Sequence, residues 1–327
     1  MYVPVRRPTM ARFWRPRTEP MKVFVTGATG VIGRRAIPLL IQRGHQITGV
    51  SRSAEKSAEL ARMGAEPVQV DLFDLDKLKS ALRKHDAVIN LATHIPPSSK
   101  SVMPWAWREN SRLRRYASAN VAAAAKHAGA ERLVQESFAP VYASAGDQWI
   151  LETSPVRPVS YNRTVLDAER AATGFGASGG KGIVLRFAFF YGPDSEFALD
   201  TIKMVRKGWA PLLGSPAGYI SSVTHDDAAR AVVSVLTAPS GIYNVADDEP
   251  LKKHEFFESL ARTLRVDPPR YPPSWFSHLL GSLGEMFSRS QRISNQKLRG
   301  LGWAPKYPSA KEGWKDLVRN LPARARA

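Results

Sequence analysis

The chain has 327 residues, 43% of them apolar, with 47 Lys and Arg against 29 Asp and Glu and no cysteine. That length and apolar content build a sizeable core, as two domains or as one large α/β domain with an appended region, and exclude wholesale disorder. The missing cysteine excludes disulfides, thiolate catalysis and thiolate metal sites, and no apolar run approaches the ~20 residues of a membrane-spanning helix.

A net charge of +18 raises a nucleic-acid or anionic-membrane reading. Most of the excess sits in three blocks, +4 in residues 1–20, +3 in 105–115 and +8 in 265–327, while 116–264 carries −2. Such blocks read as solvated surface and tails. No zinc-finger spacing, RNP-like aromatic motif or helix-turn-helix signature accompanies them, so no specific nucleic-acid partner is expected. Peripheral contact with an anionic membrane stays open. The first twenty residues hold four prolines and lack the apolar core of a secretory signal; they read as a disordered basic arm on a cytoplasmic protein.

From Met21 the pattern turns regular. Short β-rich runs at 22–26, 46–50, 67–70, 86–91, 132–137 and 182–187 alternate with helical patterns at 34–43, 54–63, 75–84 and 105–127. Strand–helix alternation of this kind predicts a doubly wound parallel sheet, a Rossmann-like α/β fold. Further helices are expected at 197–207, 226–236 and 255–264, with strands at 219–223 and 242–245. The domain division that follows is 21–180, completed by parts of 181–245, for a cofactor domain, and 190–320 for a smaller substrate-binding region.

The sharpest local signal is the loop Thr26 to Gly33, with glycines at 27, 30 and 33, between a strand and a helix. Gly27 permits a sharp turn, Gly30 lets backbone approach a pyrophosphate, and Gly33 lets the helix pack on the sheet. Thr29, Val31 and Ile32 complete the loop, whose helix N-terminus offers free N–H groups to phosphate. Pro38 should kink or restrict the first helix. At the end of the second strand the chain reads Ser51, Arg52, Ser53, with no acid to accept ribose hydroxyls and repel a 2′-phosphate. Arg52 and the two serines suit that phosphate, so NADP(H) is the expected cofactor, with NAD(H) as the alternative. Asp71, followed by Leu72, suits the adenine amino group. Leu91, Ala92 and Thr93, after the fourth strand, lie where the nicotinamide ribose would run.

Together with Tyr191-Gly192-Pro193 and the downstream segments around His225 to Asp227, Tyr243 to Val245 and Gly302-Trp303, these motifs resemble the extended and atypical short-chain dehydrogenase/reductases, the NAD-dependent epimerase/dehydratase-like group. The likeness runs from Met21 to Trp314. It implies hydride transfer with a Tyr as proton donor or acceptor, a Lys four residues later that lowers the Tyr pKa, and a Ser that orients the substrate oxygen. Tyr161 matches the Tyr, but Val165 stands at the Lys position and Phe138 at the Ser position, with Ser137 one residue early. Phe189 replaces a neighbour that is often polar. These changes predict a more apolar cleft with Tyr161, and Ser137 beside it, as the catalytic candidates.

The expected function is therefore NADP(H)-dependent reduction of a small, mainly apolar carbonyl or conjugated alkene, since reduction needs a protonated donor rather than an effective base. The alternatives are a catalytically weak NADP(H)-binding sensor or partner protein and a nucleotide-sugar epimerase or dehydratase. Glu136 is a second acid/base candidate, His94 reads as a loop residue near the cleft, and His225 to Asp227 read as a helix start. No metal-ligand spacing or nucleophile elbow occurs. Trp275, Phe276, Leu279, Leu280, Leu283, Met286 and Phe287 form a helical apolar stripe expected in the core or over the cleft. Trp105 and Trp107, ahead of Arg108, Arg112 and Arg115, are expected in the cleft or at a subunit contact. The partner is a small molecule, and the protein a monomer or homodimer.

Overall fold

The structure, a computed structural model, describes residues 19–211, 214–273 and 275–321. The arm expected at 1–20 therefore lies outside the described residues except for its last two. Seven parallel strands form the central sheet: β1 (Lys22–Thr26), β2 (Gln46–Ser51), β3 (Glu66–Gln69), β4 (Ala87–Asn90), β5 (Arg132–Phe138), β6 (Lys181–Phe187) and β7 (Gly241–Val245), in the spatial order 7-6-5-4-1-2-3. β4 is buried at all four residues and β1 at four of five, as expected for central parallel strands covered on both faces. The chain winds outward through β2 and β3, then returns to β4 beside β1. That reversal opens a crevice at the carboxyl ends of β1 and β4, where doubly wound sheets bind ligands.

Helices α1 (Gly33–Gln42), α2 (Ala54–Arg62) and α3 (Leu75–Ala81) connect the first four strands. α1 runs on through Pro38, burying Ala36, Ile37 and Leu40 against the sheet; this packing holds the helix together across the missing N–H. The expected helix at 105–127 opens with a 3₁₀ turn, Pro104–Trp107. It continues as α4, an unbroken run of Arg108–Arg112, a π turn at Leu113–Ala117, and Ser118–His127. α5 (Val165–Ala177) packs beside α4 against β5 and β6. Across the three strand ends, Asn90 accepts a hydrogen bond from Thr26 Oγ1 and donates to Gln135 Oε1 at 2.8 Å. This buried polar chain fastens the floor of the crevice.

A second core lies beyond the sheet. α6 (Glu196–Arg206), α8 (Lys253–Leu264) and α10 (Ala310–Arg319) gather Ile202, Val205, Phe256, Leu260 and Trp314 around Tyr191. α7 (His225–Ser234) lies against α1 instead and belongs with the sheet. The expected stripe at 275–287 splits at Gly281 (φ 52°) into a short helix, Phe276–Leu279, and α9 (Gly281–Ser288). Leu283 and Met286 are buried, while Trp275 and Leu279 stay 60% and 67% exposed. No helix among the described residues is long and apolar enough to cross a membrane.

Candidate active site

The glycine loop is shaped by contacts that no other residue would allow. Gly27 has φ 64°, and a Cβ there would stand 2.4 Å from the Leu91 carbonyl oxygen. A Cβ on Gly33 would stand 2.4 Å from the Gly27 oxygen. Gly30 is different: its Cβ would meet only the Gly27 oxygen, at 3.1 Å. Its small size therefore serves the open side, where an approaching ligand would sit. Ile32 caps α1 with no side-chain hydrogen bond; the Arg34 and Arg35 N–H groups donate to the carbonyls of Gly30 and Ile32 at 3.0 and 3.1 Å, which leaves the very start of the helix as the place for an anion. Asp194, whose charge opposes phosphate there, is held by ion pairs from Arg34 and Arg35. This loop fits a dinucleotide pyrophosphate.

At the end of β2, Arg52 is exposed and has no ion pair among the described residues. Ser51 is a correction. Its hydroxyl is 3% exposed and pairs with Ser57 Oγ at 2.8 Å, because alternation along β2 turns it inward beneath α2. Ser53 caps α2 through Lys56 N–H at 3.3 Å. Asp71 is exposed and uses one carboxylate oxygen to accept from Phe73 N–H at 2.9 Å. Leu72 is half-buried under β3's edge, and its carbonyl accepts from Asn120 at 3.2 Å. Leu91 and Thr93 line the crevice, along with Val31, Ile32 and the three loop glycines. Thr29 and Ala92 lie within the same two turns.

The crevice continues into a cavity of about 470 Å³ whose far wall is aromatic. Phe189 stands edge-on to Phe138 at 5.9 Å and stacks on Phe287 at 5.5 Å, and Phe287 in turn stacks on Phe197. Phe138 thus occupies the cleft with an aromatic ring. Ser137 is the second correction: it is fully buried and donates to Glu169, which is locked bidentately to Arg186 at 2.7 and 2.6 Å. The cause is the two-residue period of β5, which sends Glu136 and Phe138 to the cleft and Ser137 to the opposite face. His94 is exposed and outside the cavity wall. His225 is in the wall, 3.1 Å from Asp194, and burial pulls its pKa down to about 4. The cap of α7 is Thr224, which accepts from Asp227 N–H.

Tyr161 lies in the turn ahead of α5, with its ring 4.5 Å from that of Trp107 and its hydroxyl against the sulfur of Met286. Val165 is fully buried as the first residue of α5, so no ammonium reaches the phenol from that position. Burial pushes the Tyr161 pKa above its ordinary value of 10, against the smaller opposing pull of Arg114 and Arg289. Arg289 donates to the carbonyls of Pro140 and Tyr142 at 3.2 and 3.0 Å, and so ties α9 to the exit of β5 and holds Met286 over the phenol. Lys253, whose pKa burial lowers to about 8, donates to the Phe287 carbonyl at 2.7 Å and anchors the aromatic wall.

One cation in the cavity escapes sequence reasoning. Arg114 is 3% exposed and pairs with Glu136 at 3.1 Å, both in the cavity wall. Its Nε and the Glu136 Oε2 are buried without hydrogen-bond partners. The signal was present as a fourth arginine in 105–115, but regular helical spacing groups 108, 112 and 115 and leaves 114 aside. The π turn at Leu113–Ala117 carries Arg114 inward.

Residues 23–246 match the NAD dependent epimerase/dehydratase family. The chain belongs to that family. The 3-diazoavenalumate denitrifying reductase of a Streptomyces species is 32% identical to this family member over 308 residues, covering 90% of this chain and 99% of the relative. A 4-hydroxy-2-methyl-3-oxo-4-farnesyl-3,4-dihydroquinoline-1-oxide ketoreductase of Stigmatella aurantiaca is 26% identical over 256 residues, covering 74% and 73%. The crystal structure of human epimerase family protein SDR39U1 with NADPH superposes with a TM-score of 0.73 at 20% identity, covering 92% and 100%, and shares the fold. Family and relatives together place the protein among the nicotinamide-dependent oxidoreductases.

Proposed function

We propose that the protein catalyses NADP(H)-dependent reduction of a small, mainly apolar carbonyl or conjugated alkene. The observation that carries this reading is the placement of Tyr161: its phenol stands in an aromatic cavity continuous with the glycine loop, and burial moves its pKa further above neutrality. The reduced nicotinamide, when bound, supplies the hydride. Tyr161 donates the proton to the carbonyl oxygen, or to the carbon α to the carbonyl in an enone, and regains it from solvent. A phenol held protonated suits this direction and opposes abstraction of a proton from an alcohol. The aromatic wall excludes water and strengthens the Arg114–Glu136 pair, whose guanidinium faces the same cavity as the phenol.

The phosphorylated cofactor is supported by Arg52, exposed at the end of β2 where Ser51, Arg52 and Ser53 include no carboxylate. Gly27, Gly30 and Gly33 would hold the pyrophosphate, and Leu91 to Thr93 the nicotinamide ribose. The test is a panel of aryl ketones and enones followed by NADPH loss, with Tyr161→Phe as control. Turnover that falls about a hundredfold in the variant, at unchanged NADPH affinity, is expected. Undiminished turnover removes Tyr161 from the chemistry. Tight NADPH binding with no turnover across the panel makes the protein a cofactor-responsive binding protein, the reading favoured by Val165 at the lysine position.

A further inference from the structure

Trp107 and Tyr161 are a partition rather than an end wall. On their outer side lies a second cavity of about 880 Å³, and the two cavities share Ser101, Trp107, Tyr161 and Leu283 in their linings. The two chambers differ in chemistry. The inner one is aromatic, and its cation is neutralised by Glu136. The outer one is lined by Arg108, Arg112 and Arg115, at i, i+4 and i+7 along α4, with Ser111 and Ser160 beside them and no carboxylate in its wall.

The carboxylates that face these arginines from outside the wall do not balance them. Arg112 pairs with Glu109 at 2.9 Å and lies over the Phe73 ring; Arg115 pairs with Asp167 at 3.0 Å, and Asp167 is shared with Arg170. Arg108 is exposed and makes no ion pair among the described residues. A positive surplus therefore remains in a chamber whose wall includes the apolar Leu279 and Val102, 67% and 53% exposed. Cations set among hydrocarbon suit an anion carried on an apolar body, and guanidinium forks match the planar carboxylate.

We propose that the substrate is an amphipathic carboxylate, its apolar reducible end in the inner chamber and its carboxylate on the arginine face of α4, with the connecting chain passing Trp107 and Tyr161. Only the placing of the reducible end rests on the reductase reading; the recognition of the tail is a binding statement.

The test is titration calorimetry of the full chain with NADP⁺ bound, using phenylhexanoate and its methyl ester. The acid is expected to bind about tenfold more tightly than the ester, with the preference shrinking at high salt. Arg108→Gln and Arg108→Gln/Arg115→Gln should erase the preference and leave the ester affinity unchanged. Arg108 makes no ion pair, so the single variant separates recognition from folding. In a turnover arm, an aryl ketone with a carboxylate tail should show a KM about tenfold below that of its methyl ester. The variants should raise that KM at constant kcat. Equal binding of acid and ester, or a preference that survives in the variants, overturns the proposal. Ketone reduction without any acid preference leaves the reductase standing and overturns this inference alone. Acid preference in binding without turnover supports this inference and counts against the reductase.

Discussion

The glycine loop and the Tyr161 corner are neighbours in one crevice, yet they are built in opposite ways. The loop is made of backbone: three glycines within seven residues, a strand end and a helix start, with the tight contacts running between Gly27, Gly33 and Leu91. The corner is made of side chains brought from four places: Trp107, Tyr161 and Met286, held by packing, and Glu136, held by Arg114. A site made of backbone tolerates almost no change at its glycines and many changes around them. A site made of side chains can carry apolar residues such as Val165 and Phe138 and remain a formed cavity.

The strongest way to test this contrast is Gly33→Ala. Its Cβ would press on the Gly27 and Ala28 carbonyls at 2.4 and 2.5 Å. NADPH affinity measured by fluorescence titration should fall more than about a hundredfold, and stability by roughly 2–3 kcal/mol. Tyr161→Phe should do the reverse, removing about a hundredfold of kcat with NADPH affinity and melting temperature nearly unchanged. Affinity lost in both variants alike would break the distinction between the two halves of the crevice.

Smaller effects sharpen it. Arg52→Ala should weaken NADPH by about tenfold and leave NADH unaffected, measured by titration of each cofactor. Because burial raises the Tyr161 pKa, the rate of reduction should not fall as pH passes 10 through donor ionisation; a decline centred at the ordinary tyrosine value would show an unperturbed phenol. The last concerns His225, with a pKa of about 4 against an ordinary 6.5. The unfolded chain then binds the extra proton, so stability is fully present above pH 6.5 and is lost as pH falls toward 4. The slope is at most about 1.4 kcal/mol per pH unit. His225→Gln should flatten that stretch of the denaturation profile.

The sheet and its loop were legible because their rules are local. Strand and helix periods placed the seven sheet strands and α1 to α3 within a few residues. The spacing of Gly27, Gly30 and Gly33 needed only a strand before and a helix after. Ser51 and Ser137 turn away from the crevice for one shared reason: at a strand end the face of a residue depends on where alternation stops, and both strands keep alternating to the end. The stripe at 275–287 is apolar, but Gly281 divides it: Leu283, Met286 and Phe287 line the inner cavity, and Leu279 the more open outer one.

Composition, period and glycine spacing by themselves determined a doubly wound α/β protein with a glycine-rich loop between its first strand and helix, since those depend on contacts within a strand–turn–helix unit. The tertiary structure decided the rest. Arg114 meets Glu136 across 22 residues, and Tyr161 meets Met286 across 125. The first meeting depends on a π turn that adds a residue to one helical turn, and the second on Arg289 fastening a distant helix to the exit of β5. No local pattern encodes either, because the packing of separate segments sets both.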